Sequence, residues 1–583
     1  MTDFDEPVKD YVGYFKELHE RNVSEYFEAL VRESKVDEPA NIETVSELRV
    51  FEGQIGANSS TRGWWRFARI ASIVVAAVSA YVAIWLGDVY YLLLILALAA
   101  LLFVFLKVNK EVKDLNSKLS ALEAKRAAKA EEAWQQMAPL NKLHTWEAAR
   151  TLFQKTYPDV KLDSYFSEGR LQDLYENYGL TSGFNDGRSV LISQGGSYKE
   201  NPFVIARYIQ HWIGQKTYYG SIVITWSEQV RNANGDWVTM NRSQTLTASV
   251  TKPFPEYQVR SSIIFGHEAA PNLNFSRGPS NLSGNEEGLF NNWQKDRAIK
   301  KVEKKAKKAL KSGTSKLTLM ANREFEALFN ASDRDDEIEF RLLYTPLAQQ
   351  EVVNLLNDEE VGYGDDFTFI KNGQLNFVEP AHLSQTRFDG DPQLFASLEL
   401  GAARKFFNEF HQEYFRSLYF GFAPLLAVPL YRDNRTLAKP TSKPGSQASS
   451  FWEHEAMANF IGSKTFSHPD SVTQNLLKTS ATGGTVESTK VTVVAHGYRG
   501  ESRLDIIPML GGDGNWHNVP VSWTEYLPVS QKSEMIVGVV PAADAEAKES
   551  AGAGWQKVLQ KEGITPEQIL LRGGLVAAFL RSR

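Results

Sequence analysis

His454-Glu455 opens like the helical metal motif H-E-x-x-H, in which two histidines one helical turn apart hold zinc and the glutamate acts as base. The residue four positions after His454 is Ala458, so the second ligand is missing and that chemistry is not available here. His496-Gly497, in VVAHGYRG, is similar to the oxyanion segment of an α/β-hydrolase. A hydrolase also needs its serine on a G-x-S-x-G turn, and GESRL at Gly500 to Leu504 lacks the closing glycine. GSKT at Gly462 to Thr465 lacks the leading glycine and the Gly-Lys order of a phosphate loop. An enzyme built on this chain would have to assemble distant residues, and His454, His496, His517 and Asp513 are the candidates.

The acidic groups point to turns. Asp333, Asp335, Asp336 and Glu337 supply carboxylates that a calcium ion would accept, but without the alternating ligand spacing and distal glutamate of a calcium loop. Asp365-Asp366 stands where a cap or turn precedes Phe367. In GGDGNWH, Gly511 to His517, the glycines read as a hairpin turn, and Asp513 with His517 is too small a set for a metal. No motif calls for a cofactor. The chain has no cysteine, which excludes disulfides and thiolate sites.

The strongest charge feature is KDRAIKKVEKKAKKALK, Lys295 to Lys311, with 9 basic and 2 acidic residues in a chain whose formal net charge is −6. Ile299, Val302, Ala306 and Leu310 form a thin apolar stripe on a helix otherwise covered by lysine. It reads as a solvated linker helix. It also reads as a contact for anionic lipid through Lys300, Lys301, Lys304, Lys305, Lys307 and Lys308, since each basic residue near such a surface adds about 1 kcal/mol. Nucleic acid is the weakest partner, because there are no stacking aromatics and no recognition fold.

What would place such a helix near lipid is the apolar tract from Ile70 to Leu106, interrupted by Gly87-Asp88. One helix over that tract would be roughly 55 Å long, against about 30 Å of bilayer core. Two spans meeting at Gly87-Asp88 fit instead, with Trp85, Tyr90 and Tyr91 at the headgroup layer. Arg62, Arg66 and Arg69 before the tract, and Lys107, Lys110 and Lys113 after it, set both termini on the cytoplasmic side of the cell membrane. The acidic start of the chain does not resemble a cleavable leader.

Residues 1–62 carry amphipathic helices: Tyr11, Phe15 and Leu18 recur at helical spacing, as do Val23, Phe27, Leu30 and Val31, with a short helix near Ile42 to Val50. These stripes pack on the chain itself or dock a second protein. After the hairpin of residues 63–110, residues 111–134 continue a seam of Val108, Val112, Leu115, Leu119 and Leu122, a helical stalk suited to pairing subunits. An α+β domain at 135–290 has helices at Trp146 to Thr156 and Ser167 to Tyr178. Its strands, Tyr218 to Val230 and Trp237 to Val250, flank the turn signal Asn234-Gly235. The basic linker at 291–315 leads to a second α+β domain at 316–540. There the pattern predicts a strand over Ile338 to Tyr344, a helix capped by Thr345 with Pro346 at its first position, and two strands around Asn372-Gly373. Residues 541–583 read as a tail with a short helix.

EFRLLYTPLAQQ, YGDDFTFIKNGQLNF, APLLAVPLY and GGDGNWHNVPVSW, with YYGSIVITW, LTASVTKPFP and PNLNFSR upstream, resemble a family of uncharacterised bacterial membrane proteins. That family has paired N-terminal spans and a large domain of unknown function. The resemblance implies architecture and membrane location, and no activity. Together these readings lead to an α+β protein anchored in the membrane and acting as a cytoplasmic scaffold or adaptor, with protein partners or self-association through the N-terminal helices and stalk. The alternatives are an enzyme with a site in the second domain and an anionic-lipid sensor.

Overall fold

The computed structural model of the chain is an α+β fold. It describes residues 6–86, 91–231, 233–280, 297, 299–300, 304, 319–388, 390–436, 448–485, 488–539 and 569–580. Its main helices are α1 (Lys16–Ser34), α2 (Glu38–Leu86), α3 (Tyr91–Phe103), α4 (Asn109–Asn141), α5 (Ala148–Thr156), α6 (Glu168–Tyr178), α7 (Arg323–Phe329), α8 (Glu337–Leu343), α9 (Pro346–Asn357), α10 (Leu400–Leu426) and α11 (Phe451–Ile461). The chain divides into two compact units: Glu20–Ala148 with Gly390–Gln412, and Met1–His19 with Ala149–Asp389 and Glu413–Arg583.

The first of these units is helical. α2 and α4 run antiparallel, and polar pairs mark the register: Arg62 with Asn116, Arg126 with Glu52, Lys129 with Glu47, and Gln136 with Thr44. The expected stalk seam is therefore closed within the chain, with Val108, Val112, Leu115 and Leu119 buried and α2 beside them. The short helix near Ile42 is the start of α2; Val45 and Leu48 face inward while Ile42 and Val50 are exposed. Phe27 packs on Phe407, and Arg404 bridges Glu28 and Glu38. The N-terminal stripe thus has partners in its own unit. Among the described residues no helix is long and apolar enough to cross a membrane. The turn at Gly87-Asp88 lies outside the described residues.

The second unit holds both sheets. One runs β1 (Val160–Leu162), β2 (Arg188–Tyr198), β3 (Asn201–Arg231), β4 (Trp237–Gly266), β7 (Leu375–Pro380), β6 (Phe367–Asn372) and β5 (Asn274–Arg277). The other runs β11 (Ile569–Arg572), β12 (Leu575–Leu580), β10 (Trp516–Val539), β9 (Ser488–Leu510) and β8 (Leu476–Thr485). All pairs are antiparallel, and β4 pairs with β7, Ile263 opposite Val378. Segments 135–290 and 316–540 therefore contribute to one sheet, because the buried run of β4 needs a neighbour that only the later segment supplies. Tyr11 and Phe15, which begin the N-terminal stripe, pack on Phe415, Tyr419 and Phe420 in this unit.

Two expectations change. Glu337–Leu343 is a helix where Ile338 to Tyr344 reads as a strand: Asp336 accepts from the backbone N–H groups of Ile338 and Glu339, and Phe340, Leu343 and Tyr344 fall on one buried face at helical spacing. The described end of the tail is a β-hairpin that extends the second sheet, Met535 opposite Phe579, with the turn at Gly573 (φ +56°); the rest of the tail, where a short helix is expected, lies outside the described residues. Thr345 caps α9 as its sequence requires, accepting from the Ala348 N–H.

Candidate functional site

Several of the sequence candidates hold the fold together. α11 lies between β2 and β8, with Trp452 and Ala456 in the core under the first sheet and Met457 and Ala458 in the core under the second. Glu453 accepts from the Phe166 N–H at 2.7 Å, and Glu455 accepts from Asn185 and the Val190 N–H at 2.8 and 3.0 Å. Lys478 stands 3.3 Å from Glu455. Val190 lies on β2 and Lys478 on β8, so Glu455 ties the helix to both sheets, while Glu453 ties it to the segment before α6. Burial pushes both carboxyls up to about 7 and the His454 imidazole down to about 4, and His454 Nε2 meets Ser449 Oγ at 3.0 Å.

The acidic groups bind backbone. Asp333 and Asp335 accept from the N–H groups of Ser276 and Asn274 on β5. Asp365 pairs with Arg277 at 2.5 Å, both fully buried. Asp366 holds His382 Nδ1 at 2.5 Å, the ring's Nε2 lies 2.9 Å from the Ser417 carbonyl, and Tyr363 stacks on it at 3.7 Å. With both nitrogens engaged, His382 offers no base to the cleft of about 480 Å³ that Arg260, Asp366 and Glu379 line. Lys371 is buried and lowered to about 7 by desolvation, yet its ammonium donates to the carbonyls of Ala269 and Gly373 and locks a turn. His517 pairs with Asp513 at a hairpin tip, and that contact holds Asp513 down to about 2. His496 lines a separate cleft of about 250 Å³ with His211, Tyr257 and Tyr498. Of the four histidine and aspartate candidates, Asp513 and His517 meet, while His454 on α11 and His496 on β9 belong to other places in the fold. Among the described residues no group of three or more His, Cys, Asp or Glu is placed to hold a metal ion. Of the six lysines, Lys300 and Lys304 are helical and exposed; Lys301, Lys305, Lys307 and Lys308 lie outside the described residues.

The second unit also carries a two-layered β-arm. Beyond Gln210 of β3, which faces Arg188 at the start of β2, β3 and β4 continue as a ribbon from His211 opposite Tyr257 to Arg231 opposite Trp237, roughly 70 Å at about 3.4 Å per residue. Beyond β8, β9 and β10 continue from Gly497 opposite Val529 to Leu510 opposite Trp516, roughly 45 Å. Ile224, Leu246 and Ala248 of one ribbon meet Val519 and Val521 of the other. Gly220 permits the contact, since a Cβ there would stand 2.0 Å from the Pro520 carbonyl oxygen. Gly235 (φ +91°) makes the turn that Asn234-Gly235 announces.

The two layers meet through an apolar seam, and their outward faces are short of charge. Side chains alternate along a strand, so the outward face of β3–β4 carries Thr217, Tyr219, Ser221, Val223, Thr225 and Ser227 opposite Thr251, Ser249, Thr247, Thr245, Ser243 and Asn241. All are exposed and none is charged. The outward face of β9–β10 carries Leu504, Ile506, Pro508 and Leu510 opposite Ser522, Pro520, Asn518 and Trp516, again exposed and uncharged. Along these stretches charges sit on the opposite parity, as where Lys252 bridges the layers to Asp505 at 2.7 Å and lies over Trp523; Arg231, at the tip, is charged on the outward parity. Soluble surfaces normally place such charges outward. The sequence shows the β3–β4 strands and their turn but not these faces, which depend on the pairing of two ribbons far apart in the chain.

Comparison of the chain with protein-family models, with curated proteins and with solved structures finds no match.

Proposed function

We propose that the chain is a membrane-anchored scaffold or adaptor whose β-arm presents the contact surface. The observation that carries this reading is the arm itself: two outward faces, uncharged from Thr217 to Ser227 and from Ser502 to Leu510 and along the strands opposite, fit a surface that is covered in use. Anchoring is supported by the exposed apolar side chains Phe67, Ile70, Val74 and Val78 on α2 and Ile95, Leu98 and Leu102 on α3, which resemble a lipid-facing belt. No single described helix is long and apolar enough to span. In this reading the anchor is the pair of apolar segments on either side of Gly87-Asp88 in the sequence, with the flanking arginines and lysines setting both termini in the cytoplasm. The resemblance to bacterial membrane proteins with paired spans agrees with that arrangement.

The test is co-purification of proteins with the full chain from solubilised membranes. Val223→Lys with Ile506→Glu places charge on both outward faces without touching the inner layer. The scaffold reading expects that double variant to stay in the membrane fraction and lose bound protein. A variant that keeps every bound protein of the wild type contradicts the role given to the arm.

A further inference from the structure

We propose that the outward face of the β9–β10 ribbon is the contact between two copies of this chain, face to face about a two-fold axis. This goes beyond the scaffold reading by naming the occupant of one face, and it does not depend on the anchor. Three observations lead there.

First, the apolar stripes from which self-association is expected in the sequence are already used: Val112, Leu115 and Leu119 are buried in the α2–α4 pair, and Phe27 is buried against Phe407. The face on β9–β10 is not used. Leu504, Ile506, Leu510 and Trp516 are 58%, 57%, 55% and 70% exposed on one side of two paired strands. A face covered by its own copy must bury no uncompensated charge, and from Ser502 to Leu510 and from Trp516 to Thr524 this parity carries none.

Second, the size fits. Those stretches span roughly 30 Å by 10 Å, so two copies would remove on the order of 1,000–1,200 Å² in total, at the threshold of a specific protein interface. Third, the ribbon edges are guarded by proline, with Pro508 on β9, Pro520 and Pro528 on β10, and Pro253 and Pro255 on β4. Proline has no N–H to offer a new strand, so addition at the edge is disfavoured and contact through the face is favoured. A surface that meets itself closes into a dimer and does not propagate.

The experiment uses the full chain, which has no native cysteine. Mass is measured by sedimentation from sub-micromolar to tens of micromolar, and single cysteines are placed at Asn518 on the proposed face and at Thr245 on the outward face of the other ribbon, then treated with a short bismaleimide. The expected result is a mass that doubles with concentration, a covalent dimer from Asn518→Cys and little from Thr245→Cys. Leu504→Glu with Ile506→Glu should weaken association at least tenfold; both positions are exposed, so circular dichroism should be unchanged, and Val223→Glu should leave association intact. A chain that stays monomeric over the whole range overturns the proposal. So does cross-linking from Thr245→Cys in place of Asn518→Cys, or undiminished dimerisation of the double glutamate variant.

Discussion

Replacing Glu453 by Gln should make the protein more stable at pH 8 and leave it almost unchanged near pH 4.5. Glu453 is buried between two sheets, and desolvation lifts its carboxyl from 4.5 to about 7. A folded pKa above the unfolded one means that the native state binds the proton more tightly. The associated stability is fully present below pH 4.5 and is lost as pH rises through about 7. At about 1.4 kcal/mol per pH unit, the loss approaches 3 kcal/mol at pH 8. Glutamine is neutral throughout and keeps an oxygen for the Phe166 N–H, so the variant escapes that loss. The assay is the thermal unfolding midpoint of the full chain at pH 5 and pH 8, followed by tryptophan fluorescence, to which the neighbouring buried Trp452 contributes. Glu455 is present in both proteins, so to first order its own titration cancels from the difference. The expected gap is several degrees at pH 8, closing toward pH 5. Equal pH dependence in the two proteins, or a variant less stable at pH 8, would show that Arg572 keeps Glu453 ionised and would refute the reasoning.

Gly220→Val should separate the arm layers, at a cost of about 1–3 kcal/mol or more for overpacking against Pro520, and limited proteolysis should then cut β3–β4 before the body of the fold. In intact cells a cysteine at Asp88 should react with an impermeant thiol reagent while one at Ser249, which is exposed on the arm, should react only after permeabilisation; the reverse pattern overturns the orientation. The full chain with all six lysines of the basic segment changed to Gln should hold anionic liposomes less well at low salt than wild type, and the difference should shrink at physiological ionic strength, where the Debye length is about 8 Å. Equal binding at low salt removes lipid contact from those lysines.

Much of the local structure is legible in the sequence because its signals are local. Thr345-Pro346 caps a helix, Asn234-Gly235 and Asn372-Gly373 turn hairpins, and the helix read over Ser167 to Tyr178 is α6. EFRLLY misleads because its apolar residues satisfy a period of two nearly as well as one of 3.6, and only the Asp336 cap and the burial of Phe340, Leu343 and Tyr344 decide for helix. The α2–α4 seam looks like a stalk because half of a two-helix pair carries the same heptad pattern whether its partner is the same chain or another. The His-Glu pair is visible as a failed metal motif, but the roles of Glu453 and Glu455 as ties need Phe166, Asn185 and Val190 brought to them from far along the chain. The charge-free faces of the arm escape notice for the same reason.

The most direct measurement is site-specific photo-cross-linking in living cells at Tyr219 and Ile506, one on each outward face of the arm, with the exposed Lys405 as control. A scaffold that works through its arm predicts discrete protein adducts of higher mass from Tyr219 and Ile506 and only background from Lys405. Arm positions that give no more adduct than Lys405 would contradict it.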